Sequence, residues 1–63
     1  MKNKILNYLK NHGWVTLNDI AENIKEPKPR VHGYLHFLIV QRIVSKKLDN
    51  NFYYYKLNKE FRG

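Results

Sequence analysis

Residues 26–38 read EPKPRVHGYLHFL, and the folding of this stretch decides how the rest of the chain is read. Two prolines stand at its start, a glycine lies in its middle, and His32 and His36 sit one helical turn apart. The residue before a proline is pushed toward extended backbone, so Glu26 and Lys28 are expected to be extended. Proline itself suits the first helical position, where its missing N–H costs nothing. The prolines therefore start a helix rather than break one, and it is expected to run over residues 29–41. Val31, Leu35 and Leu38 fall at i, i+4 and i+7, which makes one apolar stripe. Lys28, Arg30, His32, Gly33, His36 and Gln41 are left facing outward.

Upstream, KNKILNYLKN over residues 2–11 spaces Ile5, Leu6, Tyr8 and Leu9 as a helix does, with Lys2, Lys4 and Lys10 on the other side. His12-Gly13 supplies a stop, because glycine tolerates the left-handed conformation that closes a helix. Trp14-Val15 is then a short extended piece. Thr16 can cap the next helix, Asp19 can return the hydrogen bond, and Val15 with Ile20 can form a hydrophobic staple. The apolar face of that helix is Leu17, Ile20, Ala21 and Ile24, over about two turns.

Downstream, Ile43-Val44 opens a strand, and Asp49-Asn50-Asn51 has the chemistry of a tight hairpin, since Asn tolerates positive φ. FYYYKL over residues 52–57 is aromatic and strand-like. Alternation puts Tyr53, Tyr55 and Leu57 on one face and Phe52, Tyr54 and Lys56 on the other. Trp14, Tyr34, Tyr53 and Tyr55 are expected in the core, with Phe37 and Tyr54 outside it. Residues 58–63 read as a frayed tail.

The 63 residues make one domain over 1–63. A chain this short buries only about 60% of its unfolded surface. It has no cysteine, so neither disulfides nor thiolate metal sites can reinforce it. Twelve Lys and Arg stand against five Asp and Glu, for a net charge of +7. That field favours polyanions, meaning nucleic acid or an anionic membrane surface. No apolar run approaches the ~20 residues of a membrane span, and the N-terminus lacks a signal-peptide pattern. The expectation is a soluble, cytoplasmic protein. From the initiating Met and the full set of elements the expectation is a whole small protein, of a kind common in viruses, plasmids and prokaryotes, with a fragment of a longer protein as the alternative.

In order and spacing, these elements resemble the winged helix-turn-helix family of DNA-binding domains over roughly residues 4–58. KILNYLKNHG looks like the family's first helix, TLNDIA like the start of its second, VHGYLHFL like its recognition helix, and IVSKKLDNNFYYYKLN like the two wing strands and their loop. The chain departs from the pattern at four places. Lys25 or Glu26 stands where the turn carries Gly, Arg42 where a Gly precedes the wing, Gly33 where a long polar side chain is usual, and Phe37 where Lys is usual. The resemblance implies an α+β winged helix-turn-helix fold, three helices followed by a two-stranded β-hairpin wing.

It also implies sequence-specific binding of double-stranded DNA by a small transcription regulator. Helix 29–41 would read the major groove and the wing, 46–56, would touch flanking DNA. Arg30 is the best reader of guanine, because its planar fork matches O6 and N7. His32 and His36 can donate to phosphates or bases, and Lys28 suits a phosphate. Gly33 would allow close approach, and Gln41 closes the set. On the wing the candidates are Lys46, Lys47, Asn50, Asn51 and Lys56.

Other readings stay open. A winged-helix module that binds protein through Phe37 fits Gly33 and Phe37 better than a DNA reader does. RNA binding shares the charge and could use Phe52 and Tyr54. An i, i+4 histidine pair can chelate zinc, yet HGYLH lacks the glutamate of HExxH and has only His12 as a third candidate. Neither metal nor cofactor is expected. No nucleophile–base pair or Gly-rich phosphate loop is present, so neither an enzyme nor a small-molecule substrate is expected. An exposed aromatic on so small a basic domain points to a partner surface, with a second copy, hence a homodimer, as the first candidate.

Overall fold

Thr16 starts the second helix by the mechanism its sequence predicts. Its hydroxyl accepts from the Asp19 N–H at 3.2 Å, and the Asp19 carboxylate accepts from the Thr16 N–H at 3.2 Å. This reciprocal capping box satisfies two of the N–H groups that a helix end leaves without partners. Val15 and Ile20, on either side of the cap, are both buried. The chain is described from a computed structural model over residues 1–59. The elements run α1 (Lys2–Lys10), β1 (Val15–Thr16), α2 (Leu17–Ile24), α3 (Lys28–Val40), β2 (Val44–Asp49) and β3 (Phe52–Leu57).

Helix α1 ends differently from the expectation. Gly13 does not take up the left-handed conformation; the non-glycine residues that do are Lys25, Arg42, Asn50 and Asn51. Side chains close α1 instead. Asn11 Nδ2 donates to the Asn7 carbonyl at 3.2 Å, and His12 Nδ1 bonds the Tyr8 carbonyl at 2.7 Å while its ring stacks on Tyr8. These groups satisfy carbonyls that the last turn leaves open.

Helix α3 starts one residue before the expected Pro29. Pro27 is the N-cap, and its carbonyl accepts from the N–H groups of Arg30 and Val31, both at 3.1 Å. Lys28 is therefore helical, not extended, and Pro29 sits in the second helical position. The whole first turn lacks intrahelical acceptors for its N–H groups, so proline fits there as well as at the first position. Between α2 and α3, Lys25 takes φ 58 and ψ 47, the left-handed turn where the family pattern has glycine. Arg42 does the same before the wing, at φ 62.

The sheet has order β1-β3-β2, all antiparallel. Val15 pairs with Tyr55, and Val44 to Asp49 pair with Leu57 to Phe52. The wing is therefore a hairpin that recruits the short strand before α2 as a third strand. Asn50 and Asn51 turn it with φ 50 and 67, the two positive values that a type I′ hairpin requires. Past β3 the Asn58 N–H donates to the Ile43 carbonyl at 2.9 Å, so this part of the expected tail is tied down. Residues 60–63 of that tail lie outside the described residues.

The core joins Ile5, Leu6 and Leu9 of α1, Ile20 and Ala21 of α2, Val31, Leu35 and Leu38 of α3, and Val15, Val44 and Tyr55 of the sheet. Of the aromatics expected there, only Tyr55 is buried; Trp14 is 38%, Tyr34 40% and Tyr53 51% exposed. Tyr53 does share the inward face of β3 with Tyr55. It lies nearer the hairpin tip, beyond the cover of the helices. No helix among the described residues is long and apolar enough to cross a membrane.

Candidate nucleic-acid interface

The outward surface of α3 is held rigidly from behind. Val31, Leu35 and Leu38 are fully buried, so this helix cannot roll without opening the core. Lys28, Arg30, His32, Gly33, His36 and Gln41 are all exposed. Gln41 is the C-cap residue, at the far end of the helix from Lys28.

These residues divide into two flanks. On one, His32 lines a cleft of about 350 Å³ together with Lys46, Asn51 and Tyr53 of the wing and Asn18 of α2. Recognition helix, α2 N-terminus and wing thus meet in one concave surface, in which these polar groups stand among the apolar surfaces of Leu17, Phe52 and the tyrosine rings. On the other flank, Pro29, Arg30, Gly33, Tyr34 and Phe37 line an open groove of about 450 Å³ whose walls are mostly apolar. A Cβ added at Gly33 would meet nothing within 4 Å. Packing inside the chain therefore does not require glycine there; the space above it is open to a partner.

Arg30 projects into solvent and lies 3.9 Å from the Glu26 carboxylate, which also pairs with Lys4 at 3.5 Å. Exposed pairs of this kind are worth about 0–1 kcal/mol, so Arg30 is oriented without being locked away from a ligand. His36 lies one turn beyond His32 on the same helix, and no group of three or more His, Cys, Asp or Glu side chains among the described residues could hold a metal.

The wing lysines, which read as one cluster in sequence, are split by the pleat. Neighbouring residues on a strand point to opposite faces. Lys46 stacks on Tyr53, 4.1 Å from the ring centroid, on the side of the cleft. Lys47 reaches the Trp14 ring at 4.6 Å and the Tyr54 ring at 6.0 Å, and Lys56 approaches Trp14 at 5.8 Å. Asn51 joins the cleft, while Asn50 occupies the first position of the turn.

Sequence reasoning passed over Asn18, Tyr53 and Trp14. Asn18 follows directly on a helix start, where side chains of the first turn face whatever approaches the N-terminus, and that signal was available. Tyr53 and Trp14 read as core residues because aromatics usually pack. Tyr55 completes the inner wall of the cleft. Burial, and then the neighbouring Tyr53 phenol, raises its pKa above the usual 10.0, so it stays a neutral hydroxyl at physiological pH.

A buried three-helix support, an exposed third helix and a basic hairpin beside it define a winged helix-turn-helix DNA-binding domain. Residues 4–47 match the IclR helix-turn-helix domain, and the chain belongs to that family. In three dimensions it is similar to the apo-Zα domain of zebrafish PKZ, seen in a crystal structure, with a TM-score of 0.86 and 29% sequence identity over 92% of this chain and 91% of that one. No curated protein sequence matches it.

Proposed function

We propose that this protein binds double-stranded DNA in a sequence-specific way and acts as a transcription regulator by occupying its site. Helix α3 enters the major groove, and Arg30 reads guanine. Lys28, His32, His36 and Gln41 position the helix on phosphates and base edges, and the missing side chain at Gly33 lets it approach closely. Of the wing, Lys46 and Asn51 beside the cleft and Asn50 at the tip engage the flanking backbone, while Lys47 and Lys56, on the opposite face of the sheet, take no part. The observation that carries the reading is the shared cleft of His32, Lys46 and Asn51, because it joins recognition helix and wing into one surface. The net charge of +7 supplies the sequence-independent part of the affinity.

The test is fluorescence anisotropy with a labelled random-sequence duplex at several salt concentrations. Affinity is expected to fall with salt at a log–log slope of about −0.9 per phosphate neutralised. Once a preferred site has been selected, Arg30→Ala is expected to cost roughly 1–3 kcal/mol and to relax base preference, while Lys46→Ala weakens all sequences alike. Salt-independent or absent binding would overturn the proposal.

A second reading rests on the groove of Pro29, Gly33, Tyr34 and Phe37. Phe37 is 52% exposed and Val40 63% exposed, an apolar surface more typical of a protein-binding helix than of a DNA reader. In that reading the occupant is a protein, with a second copy of this chain first in line, and Phe37→Ala abolishes its binding. Sedimentation of the protein with and without duplex separates the two.

A further inference from the structure

The outer face of the sheet carries a second set of cations and rings that the proposed duplex surface does not use. Val15, Val44 and Tyr55 turn inward to the core, so Tyr54, Lys47 and Lys56 turn the other way. Register places Lys47 and Tyr54 directly opposite each other, with Thr16 on the far side of Tyr54. Two ammonium groups converge on one indole, Lys47 at 4.6 Å and Lys56 at 5.8 Å from the Trp14 centroid. Beside the indole is a hollow of about 310 Å³ lined by Trp14, Ser45, Lys56, Leu57, Asn58 and Lys59. Among the described residues, its lining has two lysines and no carboxylate.

We infer that this face is a second nucleic-acid site, specific for single strands, in which a base stacks on Trp14 and the flanking phosphates are held by Lys47, Lys56 and Lys59. Converging ammonium groups repel one another, and a phosphate between them relieves that repulsion. Each lysine is held at the ring only by an exposed cation–π contact, on a flexible stem that can swing to a phosphate without moving the backbone. The ring it vacates offers a π-face, and every base has a matching one. In a duplex those faces are hidden in the stack, so an exposed indole selects unpaired nucleotides. Alternating rings and cations are the pattern of sequence-tolerant single-strand grooves. The site lies on the face of the sheet opposite the core-facing residues, and its occupancy is independent of helix α3.

The chain has a single tryptophan, so its fluorescence reports this site alone. The protein is titrated with short oligo(dT) and, separately, oligo(U), each with and without a saturating duplex. Saturable quenching that persists in the presence of duplex and in Arg30→Ala is expected. By anisotropy, Trp14→Leu is expected to weaken oligo(dT) binding about tenfold or more, in line with base–aromatic stacking. The double variant Lys47→Glu/Lys56→Glu tests the same surface without touching the indole, with circular dichroism confirming its fold. It is expected to abolish quenching while duplex binding retains most of its strength. Equal quenching by both oligomers supports a site that ignores the 2′-hydroxyl, and quenching by only one supports a site that reads it. No quenching by either oligomer would overturn the inference. So would quenching lost to duplex or to Arg30→Ala, or quenching untouched by the double charge reversal. Failure of duplex binding, by contrast, would sink only the recognition-helix proposal.

Discussion

Helices α2 and α3 are joined by one turn and are built by opposite means. Helix α2 is specified locally. It has a full capping box, a buried staple, and a left-handed closing residue whose cap N–H returns to Ala21. Helix α3 has no side-chain cap, no acidic residue in its first turn and no basic residue in its last. It persists because Val31, Leu35 and Leu38 are completely buried, and its remaining surface carries apolar as well as polar groups. A helix held by its own ends can serve as scaffold, whereas one held only from behind leaves its entire front free for a partner. That division is what recognition requires of two adjacent helices.

Breaking the support of α3 should cost most. Leu35→Ala is expected to lower stability by about 2–5 kcal/mol, read as a shift in the urea midpoint, and to remove DNA binding with it. Thr16→Ala acts on α2 and should cost about 1 kcal/mol; a loss comparable to that of Leu35→Ala would show that α2 is not locally specified.

Sharpening the turns should act in the other direction. Lys25 and Arg42 hold positive φ, a conformation that costs a non-glycine residue roughly 1 kcal/mol. Lys25→Gly and Arg42→Gly are each expected to raise the melting temperature modestly. If Lys25→Gly lowers it, the lysine side chain has a stabilising role that its backbone geometry does not reveal.

The smallest effect concerns pH. Because the folded pKa of Tyr55 lies above 10.0, its contribution is present below the unfolded value and is lost as pH rises through the folded one. Stability is expected to fall above pH 10.0, and Tyr55→Phe should flatten that fall. An unchanged alkaline limb in the variant would assign it to other groups.

What the sequence made legible follows the same division. The Thr16–Asp19 box, the Asn50-Asn51 turn and the stripe of Val31, Leu35 and Leu38 are local patterns, each decided within a few residues. The pairing of Val15 with Tyr55 spans most of the chain and has no local signature. Whether an aromatic lies under the helices or beyond them is equally non-local. Trp14, Tyr34 and Tyr53 therefore read as core and emerge partly exposed, while Tyr55, two residues from Tyr53, is buried. The sequence also grouped Lys46 with Lys47, which the pleat places on opposite faces. Gly13 reads as the stop of α1 because glycine is the commonest one; Asn11 and His12 reach back to carbonyls and make it unnecessary.

The central claim is that duplex DNA docks on α3 and the wing together, and amide chemical-shift mapping tests it most directly. On adding a short duplex to the labelled protein, the largest shifts are expected at Lys28 to His36 and at Lys46 to Asn51, with α1 unchanged. Shifts confined to α1, or to one of the two regions without the other, would contradict the account.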